Sequence, residues 1–290
     1  MRNTEADWMA AMRHGDFAAA WAISDAVLAQ RDPATRDDPT QPYHRRWVWD
    51  GRPFQGQDVL VRCYHGLGDT LQFLRYLPAL RRLTAATTLE VQPALLPLLA
   101  SYPGVDRLIP FQPAAPHQPA ACDLEIMELA HALRLPPQSL KPPYLHVGPD
   151  QRYPGAIGLC WQAGGWDQAR SIPTPLLAPL LKPGLALVSL CPAPSGPAFR
   201  NPAGCPAAIE ATAALMAGLR LVITVDTMVA HLAGALGLPT WLLLKYEADW
   251  RWGQGPAGSP WYPDMRVFRQ DKPGDWRAVI AAVEQEGLLF

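Results

Sequence analysis

The stretch from Val59 to Phe73 (Val-Leu-Val-Arg-Cys-Tyr-His-Gly-Leu-Gly-Asp-Thr-Leu-Gln-Phe) constrains the fold more than any other part of the chain. An apolar run ends on two glycines, an acidic residue follows, and the apolar spacing then lengthens toward the helical period. That pattern is a strand, a tight turn and a helix start. Gly66 and Gly68 allow a sharp turn and a close approach of backbone to a ligand. Asp69 and Gln72 are three apart, which suits a cap with Asp69 as the N-cap and Gln72 reaching back. The first turn of an α/β unit is also where such folds place ligand chemistry. Asp69 therefore reads either as a cap or as a reactive carboxylate, and the residues alone leave both open.

The same unit repeats along the chain. Strand 58–64 leads into helix 69–83 and strand 87–91 into helix 94–101. Strands at 105–109 and 122–126 follow, with a short helix near 127–134. A polar turn, Pro149 to Pro154, marks the expected domain boundary. Beyond it come strand 156–161, a glycine-rich loop at Gly164-Gly165, helix 174–181 and strand 185–190. Helix 207–217, strand 220–225, helix 227–236, strand 239–244, strand 265–268 and helix 275–287 complete the set. Strand-then-helix alternation predicts parallel sheets covered on both faces. Ahead of them, residues 5–30 read as two short helices broken at Gly15-Asp16, with Asp16 as N-cap. They resemble one tetratricopeptide-like unit, which cannot bury its own face and must pack on the body or on a second copy of the chain. Residues 31–56 read as a charged, proline-bearing connector.

The 290 residues suit about two domains. A net charge of −1 with mixed signs gives no basic footprint for nucleic acid. No apolar run reaches the roughly 20 residues that span a bilayer, and residues 1–16 contain no secretory apolar core. Five dispersed cysteines without a CxxC pair fit reduced thiols in a cytoplasm. Most of the 32 prolines sit in connectors such as 110–119 and 136–143, which predicts long ordered loops.

Three segments carry a family resemblance. Gly66-Leu67-Gly68-Asp69-Thr70-Leu71-Gln72-Phe73-Leu74-Arg75-Tyr76 resembles the N-terminal motif of tetratricopeptide-linked bacterial glycosyltransferases, relatives of the heptosyltransferases of glycosyltransferase family 9. Asp226 to Gly237 resembles that family's donor-site motif. Asp249-Trp250-Arg251-Trp252, Ser259 to Pro263 and Phe268-Arg269-Gln270 resemble its tail. The resemblance spans about residues 47–280. It departs in carrying at most one helical repeat, in Lys245 where proline is common, and in the proline-rich loop Cys191 to Pro206.

The resemblance implies a GT-B fold: two Rossmann-like domains facing a cleft. The expected parts are an N-terminal helical hairpin (1–32), an acceptor domain (43–150) and a nucleotide-sugar-binding domain (155–290). It implies sugar transfer from a nucleotide-diphosphate sugar, with no metal and no further cofactor, and Asp69 as the general base. His65 is the second candidate base, since a histidine side chain ordinarily titrates near neutral pH. Gly66 and Gly68 form the acceptor-side loop. On the donor side, Asp226 and Thr227 open a helix whose N-terminus suits a diphosphate. Asp226 would repel phosphate, so it turns to sugar hydroxyls or caps the helix. His231, one turn on, reaches the phosphate, orients the loop or is a buried structural histidine. The resemblance places Arg170 on the donor phosphate, which arginine binds bidentately. Gln162, Gly164 and Gly165 follow a strand end, and Lys245 ends another at the same edge. Arg75 reads as a packing or acceptor-side charge. Trp250, Trp252, Trp261 and Tyr262 read as core or as a sugar platform. The acceptor, whether protein, lipid-linked glycan or small molecule, is not encoded in these motifs, and a homodimer is one way to cover the helical face. Two rivals stand: a non-catalytic GT-B domain binding a nucleotide-sugar or a partner protein, and a nucleotide-sugar epimerase.

Overall fold

The computed structural model describes residues 4–254 and 258–287; the outermost residues of the expected first and last domains, and 255–257 of the tryptophan-rich loop, lie outside the described residues. The chain divides into two units, one up to Lys141 and one from Pro142.

The first unit opens with α1 (Thr4–His14) and α2 (Phe17–Gln30). Asp16 caps α2 by accepting the Ala19 N–H at 3.0 Å, and Trp8 Nε1 donates to Ser24 Oγ at 3.1 Å. α2 is fastened to the body of this unit, where Asp25 meets both His131 (2.8 Å) and Arg134. A four-stranded parallel sheet follows: β1 (Asp58–Arg62), β2 (Ala86–Val91), β3 (Arg107–Pro110) and β4 (Cys122–Glu125), in the order β3-β2-β1-β4. Val59, Leu60 and Val61 are all buried, as a central parallel strand with two covered faces requires.

The expected helix 69–83 is real but broken. α3 (Leu67–Phe73) passes through a 3-10 turn at 74–76 into α4 (Leu77–Arg81). Pro78 has no N–H for the Leu74 carbonyl, which takes the Leu77 N–H instead. α5 (Leu96–Leu99) follows β2 and α6 (Leu129–Leu133) follows β4. Residues 31–56 are not a loose connector. Val48, Trp49 and Phe54 are buried, and the Glu128 carboxylate accepts the Val48 and Trp49 N–H groups at 3.2 and 2.9 Å.

In the second unit β5 (Ile157–Cys160), β6 (Leu187–Ser189), β7 (Leu221–Val225), β8 (Thr240–Leu244) and β9 (Arg266–Arg269) form a parallel sheet in the order β6-β5-β7-β8-β9. α7 (Ile209–Ala217), α8 (Met228–Leu236) and α9 (Trp276–Glu286) are its helices. Residues ahead of the polar turn at 149–154 already pack here, since the Tyr144 and Leu145 N–H groups both bond Ala235 O at 3.0 Å. The expected helix 174–181 is instead a 3-10 segment, Thr174–Leu180; Pro175 is tolerated in its first turn, but Pro179 removes an interior N–H that an α-helix would use.

Each sheet grows outward in two directions from its first strand. The switch points lie between β1 and β4 and between β5 and β7, and a ligand crevice forms there beyond the strands' carboxyl ends. All five cysteines are free. No helix among the described residues is long and apolar enough to cross a membrane.

Candidate active site

At the first switch point the turn after β1 is held from three sides. Asp69 Oδ2 accepts the Gly66 N–H at 3.0 Å. Asp69 is thus the N3 residue of α3 reaching back, and Gly66, not Asp69, is the N-cap; Gln72 is buried inside the helix instead of serving the cap. Gly66 has φ −72, open to any residue. Its lack of a side chain makes room instead, since a Cβ there would sit 3.2 Å from Asp69 Oδ2. Gly68 lies within α3. Gln92, at the end of β2, donates to the His65 carbonyl at 2.8 Å and accepts from Thr70 Oγ1 at 3.1 Å.

The third side was not legible in the motifs. Glu125, the last residue of β4, is buried and accepts the Tyr64 N–H at 3.3 Å, while His65 Nδ1 lies 3.1 Å from the same Oε1. With Nδ1 donating to Glu125, the neutral form of the imidazole carries its lone pair on Nε2. Below this pair lies a buried charge cluster. Arg62 bridges Glu90 at 2.8 Å and Asp123 at 2.9 Å and donates to His117 O at 3.0 Å. Glu90 in turn accepts the His117 N–H at 2.7 Å. The cluster pins the proline-rich segment 111–121, which explains why it is ordered. Arg75, also buried, donates to Gln72 O at 3.0 Å and Leu140 O at 3.4 Å, a packing role.

At the second switch point Thr227 is the N-cap of α8, its Oγ accepting the Val229 N–H at 3.0 Å. The same hydroxyl lies 3.9 Å from Cys160 Sγ, where either group can donate. Asp226 does not cap the helix. It is buried, its carbonyl accepts Arg170 Nη1 at 3.1 Å, and its carboxylate lies 4.0 Å from that atom. Burial, with Asp249 nearby, pushes the Asp226 carboxyl up; Trp252, Arg170 and Arg251 pull the other way. Arg170 Nε contacts Asp167 O at 3.4 Å, and its Nη2 makes no bond among the described residues. Lys245 bonds Asp167 Oδ2 at 2.7 Å, and this bond holds the Asp167 carboxyl below the usual range.

The structure therefore brings Arg170, Asp226, Thr227 and, through Asp167, Lys245 to one edge. His231 is buried, its Nδ1 3.2 Å from Tyr262 Oη and its ring stacked on Trp252 at 5.0 Å. Trp250, Trp252, Trp261 and Tyr262 are buried, so they are core and not a sugar platform. Gln162 is exposed, and a Cβ on Gly164 or Gly165 would meet nothing within 4 Å. Packing within the chain does not demand glycine at either position.

No protein-family model and no curated protein matches the chain. Solved structures do. A glycosyl transferase family 9 protein from Veillonella parvula DSM 2008 superposes with a TM-score of 0.54 at 13% identity, covering 81% of this chain and 96% of its own. The E. coli ADP-heptose LPS heptosyltransferase II gives 0.51 at 15% identity, with 79% and 99% covered. TibC, a dodecameric iron-containing heptosyltransferase crystallised with ADP-D-β-D-heptose, gives 0.51 at 14% identity, with 78% and 66% covered. At these identities the likeness concerns architecture: the chain has the α/β fold, two parallel sheets with their helices, of GT-B-like glycosyltransferases.

Proposed function

We propose that the chain is a glycosyltransferase that takes a sugar from a nucleotide-diphosphate sugar to an acceptor hydroxyl. One observation carries this reading: Arg170 and the Thr227-capped start of α8 meet at the carboxyl ends of β5 and β7, the switch point of the second sheet. The guanidinium, the Thr227 hydroxyl and the helix dipole supply positive charge and donors where a leaving diphosphate needs them. The reaction as proposed uses no resident metal or cofactor; these groups, with Lys245, offset the leaving charge.

In the transfer step the acceptor oxygen bonds to the anomeric carbon while the bond from that carbon to the diphosphate oxygen breaks. The electron pair leaves with the nucleoside diphosphate. Asp69 takes the acceptor proton, and His65, oriented by Glu125, is the second candidate. The solved structures support the donor class, since two of them name heptosyl transfer and ADP-heptose. The sugar, the base and the acceptor (protein, lipid-linked glycan or small molecule) are left open by this reading.

A second reading, a non-catalytic nucleotide-sugar-binding domain, is favoured by the Lys245–Asp167 pair, which spends one of the site's two cations on a neighbour. The donor site is tested by thermal shift against UDP, GDP, ADP, CMP and TDP. Binding to the folded state raises Tm by mass action. One nucleotide is expected to do so, and Arg170→Ala to abolish the shift. A shift that survives Arg170→Ala removes Arg170 from the site.

A further inference from the structure

Three large hydrophobic side chains are exposed among the described residues: Leu83 at 43%, Tyr246 at 48% and Trp166 at 83%. Single exposed apolar residues are ordinary. Two of these three are not scattered. Trp166 precedes Asp167, Tyr246 follows Lys245, and the Asp167–Lys245 ion pair at 2.7 Å ties the two aromatics' neighbours together.

Both supports are built. The loop carrying Trp166 is closed at its base, where the Ala163 N–H donates to Ser171 Oγ at 2.9 Å and the Ile172 N–H to Trp161 O at 2.9 Å. It is braced again where the Ala169 N–H reaches Asp167 Oδ1 at 3.0 Å. The Tyr246 N–H is held by Gln270 Oε1 at 3.2 Å. Gly164 and Gly165, just before Trp166, leave open space on their own side chains' positions. Arg170 lies four residues after Trp166, in the same closed loop.

We propose that Trp166 and Tyr246 are the sugar platform of the donor site, a role that rests on the donor reading above. A sugar ring presents a face of C–H bonds and a rim of hydroxyls. The C–H face packs on an exposed aromatic, and the hydroxyls donate to carboxylates. Exposed Glu247, next to Tyr246, and Asp167, next to Trp166, supply acceptors at the rim. The diphosphate is held separately by Arg170 and Thr227, so the platform recognises the sugar and not the nucleotide.

The test is calorimetric titration of the full chain and its variants with UDP, GDP, ADP and TDP, and with UDP-glucose, GDP-mannose, ADP-heptose and TDP-glucose. For the pair that the wild-type chain binds, Trp166→Ala is expected to weaken the nucleotide-sugar roughly three- to tenfold and leave the free nucleoside diphosphate unchanged. Trp166→Phe restores part of the loss, Tyr246→Ala reproduces it, and Leu83→Ala changes neither. Tm measured on each variant separates lost binding from lost folding. Equal weakening of both ligands would assign the ring to the base and overturn the proposal, as would no change in either. If the wild-type chain binds none of the eight, the donor reading itself fails.

Discussion

Arg62 is the cation on which the interior charge of the first sheet depends. It is buried between Glu90 and Asp123, and removing one member of such a cluster strands the rest. Arg62→Ala is expected to lower stability by about 3–5 kcal/mol, read as a fall in the urea midpoint, with segment 111–121 the first to gain protease sensitivity. Glu128 gives a second residue-scale prediction. Burial pushes its carboxyl up to about 7, from an ordinary 4.5, against the pull of its backbone N–H partners at Glu125, Val48 and Trp49. The folded state therefore holds the proton more tightly than the unfolded one. This group's contribution to stability is present below pH 4.5 and is lost as pH rises to 7. Tm followed across that window should fall with rising pH in the wild type relative to the Glu128→Gln variant, which lacks that component. Neither role was legible in the sequence. Glu125 and Glu128 act on residues about 60 and 80 positions away, and only strand order shows that β4 lies beside β1. Asp69 was misread by one helical turn for a related reason: a glycine N-cap leaves no side-chain signature.

At the scale of elements, strands were the readable part. The nine strands among the described residues lie within or close to the runs that predict them, and β5, β7 and β8, buried along their whole length, are the clearest of these. Helix type was less readable, since the prolines at 78 and 179 act through backbone N–H groups that periodicity does not register. α8 is the element on which the donor site turns, and two substitutions probe it. Thr227→Val strands the Val229 N–H and should cost about 1 kcal/mol in thermal or urea unfolding, together with nucleotide affinity. Gly234 lies against Tyr262, and a Cβ there would fall 2.3 Å from its ring. Gly234→Ala should therefore destabilise the second unit by about 1–3 kcal/mol, seen as a lower urea midpoint, and disturb the His231–Tyr262 contact. The same packing sets His231 against the aromatic core of Trp252 and Tyr262.

For the whole molecule, the two switch points divide the work proposed here between a proton-accepting turn in the first unit and a diphosphate-holding edge in the second. Motifs located both edges. They did not indicate Glu125 behind His65, nor the exposed Trp166 and Tyr246, whose significance comes from an ion pair formed between distant loops. The measurement that tests the central claim most directly is release of nucleoside diphosphate from the bound nucleotide-sugar, with water as acceptor, by the wild-type chain and by Asp69→Asn. The account predicts saturable release that falls by roughly a hundredfold or more in Asp69→Asn while donor affinity is kept. Tight donor binding with no release from the wild-type chain would contradict it and make the chain a nucleotide-sugar-binding domain.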